Sequence, residues 1–272
     1  MDNRPIGFFD SGLGGLTCIP SLMNALPNER IVYFGDTART PYGSKAVGTI
    51  RNFAFEITDF LAAEDVKMIV IACNTVSATC LAELRARHPD LPLIGIISPA
   101  AHAVAASCTE KNRIGVIGTK VTIQSGAYRA KILKLAPGLN IFEAPCPIFV
   151  PLIEEGIIEN EIMDLSIRRY LDDFTEANGI DTLVLGCTHY PLIKENISRL
   201  YPGLSIVDPS TEVIKSIEGS LAGYGLFADG AEAGHVFYAS DLSENFVNMI
   251  ERIFKGSGFT VAFKNFDLES MV

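Results

Sequence analysis

The sequence predicts an α/β protein made of two pseudo-symmetric halves, each a doubly wound and mainly parallel sheet. Apolar, β-branched runs alternate with longer helical patterns, which is the order of consecutive βαβ units. The run PIGFFDSG is echoed later by RIGVIGTK, so Gly7 and Gly115 lie 108 positions apart. Cys73 and Cys187 each follow an apolar run and lie 114 positions apart. These similar offsets predict an internal duplication of about a hundred residues.

The first half is expected to alternate strands and helices as far as Ser107. A strand is assigned where a short apolar run meets a turn, and a helix where apolar residues recur every three to four positions. The expected strands are Pro5–Phe9, Arg30–Phe34, Val66–Ala72 and Leu93–Ile97. The expected helices follow the turn DSGLGG as far as Ala25, and then span Val47–Glu64, Val76–Arg87 and Pro99–Ser107.

The second half repeats this alternation. Its expected strands are Arg113–Ile117, Leu139–Glu143 and Thr182–Leu185, and its expected helices are Val121–Ala136, Asn160–Asn178 and Pro191–Leu200. The tail adds expected helices at Thr211–Ala222 and Ser243–Phe254, and strands at His235–Ala239 and Thr260–Phe263. This tail is too short for a third domain, so we expect it to pack on the first half. The predicted domains are therefore 1–97 plus 208–272, and 98–207, with the active site in the cleft between them.

Two longer connecting segments are expected to form walls of that cleft. They are Asp36–Ser44 and Ala144–Gly156, and we predict that both are loops.

Composition narrows the class of partner. The chain has a net charge of −10 and no run of Lys or Arg, which argues against nucleic acid or an anionic membrane as the main partner. No apolar stretch reaches about 18 residues, and no positively charged apolar leader precedes Arg4. Neither export nor membrane insertion is indicated, so a cytoplasmic location is expected.

The six cysteines fall into two groups. No CxxC pair is present, so a zinc or disulfide framework is not indicated. Four of the cysteines stand among apolar or small residues and are interpreted as ordinary buried residues: Cys18, Cys80, Cys108 and Cys146.

Cys73 and Cys187 differ because each follows a strand and precedes polar residues, in MIVIACNTVSA and TLVLGCTHYPL. Open parallel sheets bind ligands at the carboxyl ends of their strands, so both thiols are expected at such an edge. Two opposed thiols could move a proton from one face of a carbon to the other. The alternative is a metal site made of Cys73, Cys187 and His189, which lacks close ligand spacing and a fourth ligand.

The turn DSGLGG joins the first strand to the first helix. Its G-x-G-G spacing matches neither G-x-G-x-x-G nor a P-loop, so it does not predict a nucleotide site. Free backbone N–H groups at a helix start suit a carboxylate. Asp10 could accept a hydrogen bond from an ammonium group or act as a base beside a cysteine. Alternatively, the glycines only make a tight turn.

Six motifs together resemble the bacterial glutamate racemases, which are cofactor-independent amino-acid racemases. In chain order they are FFDSGLGG, FGDTARTPYGSK, ACNTVSA, GVIGTKVTIQSG, VPLIEEG and LGCTHYPLI. The resemblance runs from about Ile6 to Pro209, with a looser tail.

The resemblance implies a catalytic set. Cys73 and Cys187 match the two cysteines that flank the substrate α-carbon, the first acting on the D-enantiomer and the second on the L-enantiomer. Asp10 and His189 match the groups that assist Cys73 and Cys187 respectively. Glu154 matches an auxiliary carboxylate.

Further matches concern substrate binding. The positions implied to hold substrate are Asp10, Ser11, Tyr42, Gly43, Asn74, Thr75, Thr119, Thr188 and His189. Glu155 directly follows Glu154, and the sequence leaves open which of these two carboxylates faces the cleft. The resemblance also implies glutamate as the substrate, no cofactor and no metal, a homodimer, and a supply of D-glutamate for peptidoglycan.

The chemistry that the resemblance implies is demanding. Without an electron sink, the carbanion left by α-proton removal must be stabilised by hydrogen-bond donors in a site closed to water. Ser11, Asn74, Thr75 and Thr188 could supply such donors. A thiol of ordinary pKa, about 8.5, becomes more acidic at a helix start. Because Cys73 and Cys187 are both expected to open a helix, a thiolate on one side and a thiol on the other is attainable.

Several simpler interpretations stay open. His189 could be structural, Tyr42 could only pack its loop, and the glutamate pair could be solvated. An aspartate racemase or another relative is a further alternative, although such relatives usually depart from the C-T-H wording around Cys187. A decarboxylase relative would keep one of the two cysteines, and a non-enzymatic binding module would have a leader and no paired thiols.

Overall fold

The computed structural model describes residues 1–230, 234–254, 258–264 and 266. Within these residues, ten strands form two sheets in which every neighbouring pair is parallel. The strands are β1 (Ile6–Asp10), β2 (Ile31–Gly35), β3 (Met68–Ile71), β4 (Leu93–Gly95), β5 (Arg113–Gly118), β6 (Asn140–Pro145), β7 (Thr182–Gly186), β8 (Ser205–Val207), β9 (His235–Ala239) and β10 (Phe259–Phe263).

The two sheets share one topology. The first has the order β10-β9-β2-β1-β3-β4, and the second has the order β6-β5-β7-β8. The run β2-β1-β3-β4 therefore corresponds strand for strand to the whole second sheet. Gly7 pairs with residues of β2 and β3, and Gly115 pairs with residues of β6 and β7, so the two glycines occupy matching strands. The predicted architecture of two similar, parallel, doubly wound sheets is confirmed.

Helices cover both faces of the sheets. They are α1 (Ile19–Ala25), α2 (Val47–Ala63), α3 (Asn74–Thr79), α4 (Leu81–Arg87), α5 (Ile97–Ser107), α6 (Lys120–Gln124), α7 (Ala127–Leu135), α8 (Phe149–Glu154), α9 (Glu161–Asn178), α10 (Lys194–Leu200), α11 (Pro209–Tyr224) and α12 (Glu244–Phe254). Short 3-10 helices span Gly14–Cys18, Thr37–Arg39, Tyr42–Ser44 and Tyr190–Ile193. Strands β1, β2, β3 and β7 are buried along their whole length, as expected for a sheet covered on both faces.

Two helices predicted as continuous are interrupted. The expected helix Val76–Arg87 is divided between α3 and α4 at Cys80, which leaves the helical conformation. The expected helix Val121–Ala136 is divided between α6 and α7 at Gly126, whose φ of 65° is in the left-handed region that glycine tolerates. Neither break interrupts the apolar periodicity on which the prediction rested.

One of the two predicted wall loops contains a helix instead. Within Ala144–Gly156, the residues of α8 form a short helix that buries Phe149 and Ile153. Pro151 stands in the first turn of this helix, where a missing N–H costs no intrahelical hydrogen bond. The three-residue strand β8 was also not predicted.

The tail contributes to the first sheet. Strand β9 pairs with β2, and β10 pairs with β9, so residues near the end of the chain extend the sheet that begins with β1. None of the helices in the described part of the chain combines the length and apolar character that crossing a membrane requires.

Candidate active site

The carboxyl ends of four central strands meet at one cavity. Ser11 follows β1, Cys73 follows β3, Thr119 follows β5 and Cys187 follows β7. The cavity is lined by Ser11, Pro41, Tyr42, Gly43, Cys73, Asn74, Thr75, Thr119, Val150, Cys187, Thr188 and His189. Its volume is about 10 Å³, which is close to the cavity volume that one water molecule needs. An amino acid can therefore enter only if the surrounding walls move apart.

The cavity brings together most of the residues predicted from sequence. Ten predicted site residues line it, whereas Asp10 and Glu154 lie behind the lining and contact Thr188 and His189 respectively. Pro41 and Val150 were not predicted, because nothing distinguishes an apolar lining residue from a core residue in the sequence. Glu155 is exposed, so Glu154 is the carboxylate that reaches the site.

Cys73 lies immediately before α3, in an almost fully buried position. Its Sγ donates to Oγ of Ser11 at 3.4 Å. Burial raises the pKa of this thiol to about 12, and the nearby charge of Asp10 acts in the same direction. The expectation that a helix start makes this thiol more acidic is wrong here, because desolvation outweighs the effect of a helix of only six residues.

Cys187 lies at the start of a chain of polar groups. Its Sγ is 3.8 Å from Nδ1 of His189, and Nε2 of His189 is 2.5 Å from Oε1 of Glu154. Burial acts to lower the pKa of His189, but hydrogen bonds and charges of Cys187 and Glu154 outweigh it, so this pKa lies well above its ordinary value. The imidazole is thus held as an imidazolium beside the thiol.

The segment after Cys187 also differs from the prediction. A turn at Thr188 and His189 leads into the 3-10 helix Tyr190–Ile193, and α10 begins only afterwards. Cys187 therefore does not open an α-helix, and the charge that acts on it comes from His189.

The glycines of the DSGLGG turn are explained by close approach. A Cβ atom at Gly12 would lie 2.6 Å from Oε1 of Glu154, and one at Gly14 would collide with the ring of His189. The backbone N–H of Leu13 donates to the same Glu154 oxygen at 3.5 Å. The turn does receive a carboxylate, as its free N–H groups suggested, and that carboxylate is Glu154 of the second half.

Asp10 is completely buried at the end of β1. Its two carboxylate oxygens accept from the Thr188 hydroxyl at 3.0 Å and from the Gly12 N–H at 3.1 Å. Burial raises the pKa of Asp10 to about 6, although the charge of His189 and the Thr188 hydrogen bond act in the opposite direction. The carboxylate predicted to assist Cys73 thus contacts the residue next to Cys187, and influences Cys73 through its charge.

Hydroxyl and amide groups line the rest of the cavity. The hydroxyls of Thr75, Thr119 and Thr122 lie 3.0–3.2 Å from one another. The Tyr42 hydroxyl donates to Asp36, so its phenol is already engaged away from the cavity. Thr75 of the first half and Thr119 of the second thus both bring a hydroxyl group to the cavity lining.

Among residues 1–230, 234–254, 258–264 and 266, no group of three or more His, Cys, Asp or Glu side chains could hold a metal ion. The six cysteines are free thiols, and Cys108 is only half-buried, unlike the other three assigned to the core.

Comparison with known proteins identifies a family. Residues 17–217 match the model of the Asp/Glu/hydantoin racemase family. A glutamate racemase of Geobacter metallireducens is 42% identical over 258 residues, which are 94% of each chain. A glutamate racemase of Neisseria meningitidis is 44% identical over 250 residues, or 92% of each chain. The crystal structure of glutamate racemase from Francisella tularensis, in complex with D-glutamate, superposes with a TM-score of 0.89 at 38% identity, covering 99% of this chain and all of that one.

Proposed function

The chain belongs to the Asp/Glu/hydantoin racemase family, and we propose that it interconverts L- and D-glutamate by moving the α-proton between two cysteines. One observation carries this proposal. Cys73 and Cys187 follow equivalent strands of two similar sheets, and both line the same narrow cavity. Two thiols that share a cavity but belong to different halves are suited to address opposite faces of one carbon atom.

The proposed reaction in the L-to-D direction begins at Cys187. A thiolate there takes the α-proton of L-glutamate, and the electron pair of the broken C–H bond stays on the α-carbon. The thiol of Cys73 then delivers its proton to the opposite face, which forms the new C–H bond and leaves a thiolate at Cys73. In the D-to-L direction the roles are exchanged, so no external acid, base or electron acceptor is consumed.

Surrounding groups support each thiol differently. The imidazolium of His189, held by Glu154, places a positive charge beside the sulfur of Cys187. The hydroxyl of Ser11 accepts from the Cys73 thiol and is near enough to stabilise a thiolate there after proton delivery. Thr188 lines the cavity beside Cys187 and donates its hydroxyl to Asp10 behind the lining.

Electrostatic donors take the place of a cofactor in this proposal. Asn74, Thr75, Thr119 and Thr188 place amide and hydroxyl groups around the cavity, where a developing carbanion and its carboxylate need hydrogen bonds. The near absence of free volume indicates that water is displaced when substrate is enclosed, which strengthens these interactions. Asp10 carries a buried negative charge that can pair with the substrate ammonium group.

The similarity to glutamate racemases supports glutamate, rather than aspartate, as the substrate in this proposal. The relatives compared above are glutamate racemases at 42–44% identity over more than nine-tenths of the chain, and the Francisella structure contains D-glutamate. A substrate one methylene shorter would leave cavity donors unpaired, and unpaired buried polar groups discriminate strongly. The candidates for meeting the distal carboxylate are Thr188, Asn74 and the Tyr42–Gly43 segment.

The biological setting follows from the activity. We propose that the protein supplies D-glutamate for peptidoglycan in the cytoplasm and acts as a homodimer, without nucleic acid or membrane as a partner. The cleft that contains the cavity lies between the proposed domains, 1–97 with 208–272 and 98–207.

The test is circular dichroism of each glutamate enantiomer incubated with purified, dialysed protein. Both enantiomers should lose their signal until the mixture is racemic, and prior treatment with a chelator should not change the rate. L-Aspartate should react about a hundredfold more slowly in kcat/KM. Comparable turnover of aspartate would overturn the glutamate assignment. Loss of activity with the chelator, restored by zinc, would instead support the metal site of Cys73, Cys187 and His189.

A further inference from the structure

Tyr128 connects the surroundings of the two cysteines. It belongs to α7 and is buried, with 1% of its surface exposed. Its hydroxyl donates to Oδ1 of Asn74, the residue after Cys73, at 2.5 Å. Its ring packs against Gly186, the residue before Cys187, where a Cβ atom would lie 3.2 Å from Cε2 of the ring. One phenol side chain therefore contacts the neighbours of both thiols, although it does not line the cavity.

The amide of Asn74 is only half satisfied. Its oxygen accepts the Tyr128 hydroxyl, whereas its nitrogen, Nδ2, is buried and has no hydrogen-bond partner among the described residues. Asn74 lines the cavity. A buried donor without an acceptor is unfavourable, so such a group at a cavity wall indicates an acceptor that arrives with the ligand.

From this geometry we propose that Tyr128 is a positioning residue, which fixes the Asn74 amide so that its N–H group meets a carboxylate of the bound amino acid. The proposal rests on the proposed racemase function and adds to it a residue outside the cavity. An asparagine amide can turn over and exchange its oxygen and nitrogen. The phenol disfavours this exchange, because in the turned amide its proton would face the nitrogen, which cannot accept a hydrogen bond.

The phenol of Tyr128 keeps the proton that it donates. Burial raises the pKa of Tyr128, and the charge of Cys187 acts in the same direction, so the phenol remains a donor when a thiolate forms nearby. Because Asn74 and Tyr128 belong to helices α3 and α7, the hydrogen bond also joins the two halves across the cleft.

The first test is Tyr128→Phe, which keeps the ring that packs on Gly186 and removes only the hydroxyl. We expect kcat/KM to fall about tenfold, mainly through a higher KM, because the misaligned amide weakens substrate binding. Because the two enantiomers have equal free energies, the loss must be the same in both directions. Tyr201→Phe is the matched control: its hydroxyl donates to Asp172, away from the cavity, and kcat/KM should stay within about twofold of wild type.

The second test is a double-mutant cycle with Asn74→Ala, which separates positioning from packing. If Tyr128 acts through Asn74, adding Tyr128→Phe to Asn74→Ala should change kcat/KM by less than about twofold. A further tenfold loss in the double variant would show that Tyr128 acts independently of the amide and would overturn the proposal.

Asn74→Asp provides a check that does not depend on how well the Tyr128 variant folds. The carboxylate still accepts from the phenol, but it presents negative charge instead of a donor to the cavity. The Asn74→Asp variant should therefore lose more activity than Asn74→Ala. An equal or smaller loss would contradict the binding of a substrate carboxylate by the residue at position 74. Wild-type protein in the same assay distinguishes the two hypotheses: an inactive wild type would refute the proposed function, whereas an active wild type with an unaffected Tyr128→Phe variant would refute only the positioning role.

Discussion

The two cysteines occupy matching places in the fold but differ in their electrostatic surroundings. Cys73 and Cys187 follow the corresponding strands β3 and β7. Around Cys73 the nearest polar partner is the neutral hydroxyl of Ser11, and burial keeps the thiol protonated. Around Cys187 the nearest partner is His189, whose raised pKa makes it a cation.

The symmetry of the backbone therefore does not extend to the charges around the two thiols. His189 places a cation beside Cys187, whereas burial keeps the Cys73 thiol protonated, and the proposed reaction would use this asymmetry to begin with the L-enantiomer. In that proposal one turnover moves the negative charge to Cys73, where the partner that the described residues supply is the neutral hydroxyl of Ser11. The energetic cost of that reversed state should be visible in variants that alter either side.

The largest effect is expected when either thiol is removed. Cys73→Ala and Cys187→Ala should each lower racemisation by at least about a thousandfold, because inversion needs a proton donor and an acceptor on opposite faces. The fold should remain, since alanine replaces each small, buried side chain. Racemisation is measured by circular dichroism, and folding by urea unfolding of the same samples.

The remaining thiol in each variant should still act on one face. With Cys187 intact, Cys73→Ala should exchange the α-proton of L-glutamate with solvent deuterium but not that of D-glutamate, and Cys187→Ala should show the opposite preference. Exchange of both enantiomers by one variant would mean that the two thiols do not divide the faces between them.

The next effect concerns the cation beside Cys187. Glu154→Gln keeps the shape of the side chain but removes the charge that holds the imidazolium, so kcat/KM should fall about tenfold or more. Glu155→Gln is the matched control, because this neighbouring carboxylate is exposed, and its kcat/KM should stay within about twofold of wild type. Equal losses in both variants would remove the basis for assigning the role to Glu154.

The smallest effect is expected from a substitution of Asp10. This substitution should increase the stability of the protein rather than decrease it. Its folded-state pKa of about 6 lies above the ordinary value of 3.8, so the native state binds this proton more tightly than the unfolded state. Its contribution to stability is therefore complete below pH 3.8 and is lost as the pH rises through about 6. Above that pH the buried carboxylate is destabilising.

Asp10→Asn should accordingly raise the free energy of unfolding at pH 8 by roughly 1–3 kcal/mol while it lowers racemisation. The difference from wild type should disappear near pH 4, where both side chains are neutral, and this provides the internal control. Urea unfolding at the two pH values makes the measurement. A variant that is less stable than wild type at pH 8 would show that the hydrogen bonds from Thr188 and Gly12 outweigh the cost of burying the charge.

The sequence predicts the parts of the site that lie next to strands. Short apolar runs are typical of strands buried in a parallel sheet, and each run ends just before Cys73 or Cys187. The sequence therefore places each thiol at the carboxyl edge of its own sheet, whereas the meeting of the two edges at one cavity depends on how the halves pack. The matching positions of Gly7 and Gly115 likewise reflect strand order rather than long-range packing.

Features that depend on packing between the halves could not be predicted. The choice between Glu154 and Glu155 depends on the orientation of α8, a helix within a segment that was predicted to be a loop. The partnership of Tyr128 with Asn74 spans 54 positions and has no local pattern. The raised pKa of Cys73 arises from burial, which a helix-start argument does not include.

The central claim, that two thiols on opposite faces transfer the proton, is tested most directly by racemising L-glutamate in D₂O. At early times we predict deuterium at the α-carbon of the D-glutamate product, delivered by Cys73, while recovered L-glutamate still carries protium. Mass spectrometry of the separated enantiomers gives both values from one sample. Equal early incorporation into substrate and product would show that a single group serves both faces and would contradict the two-cysteine account.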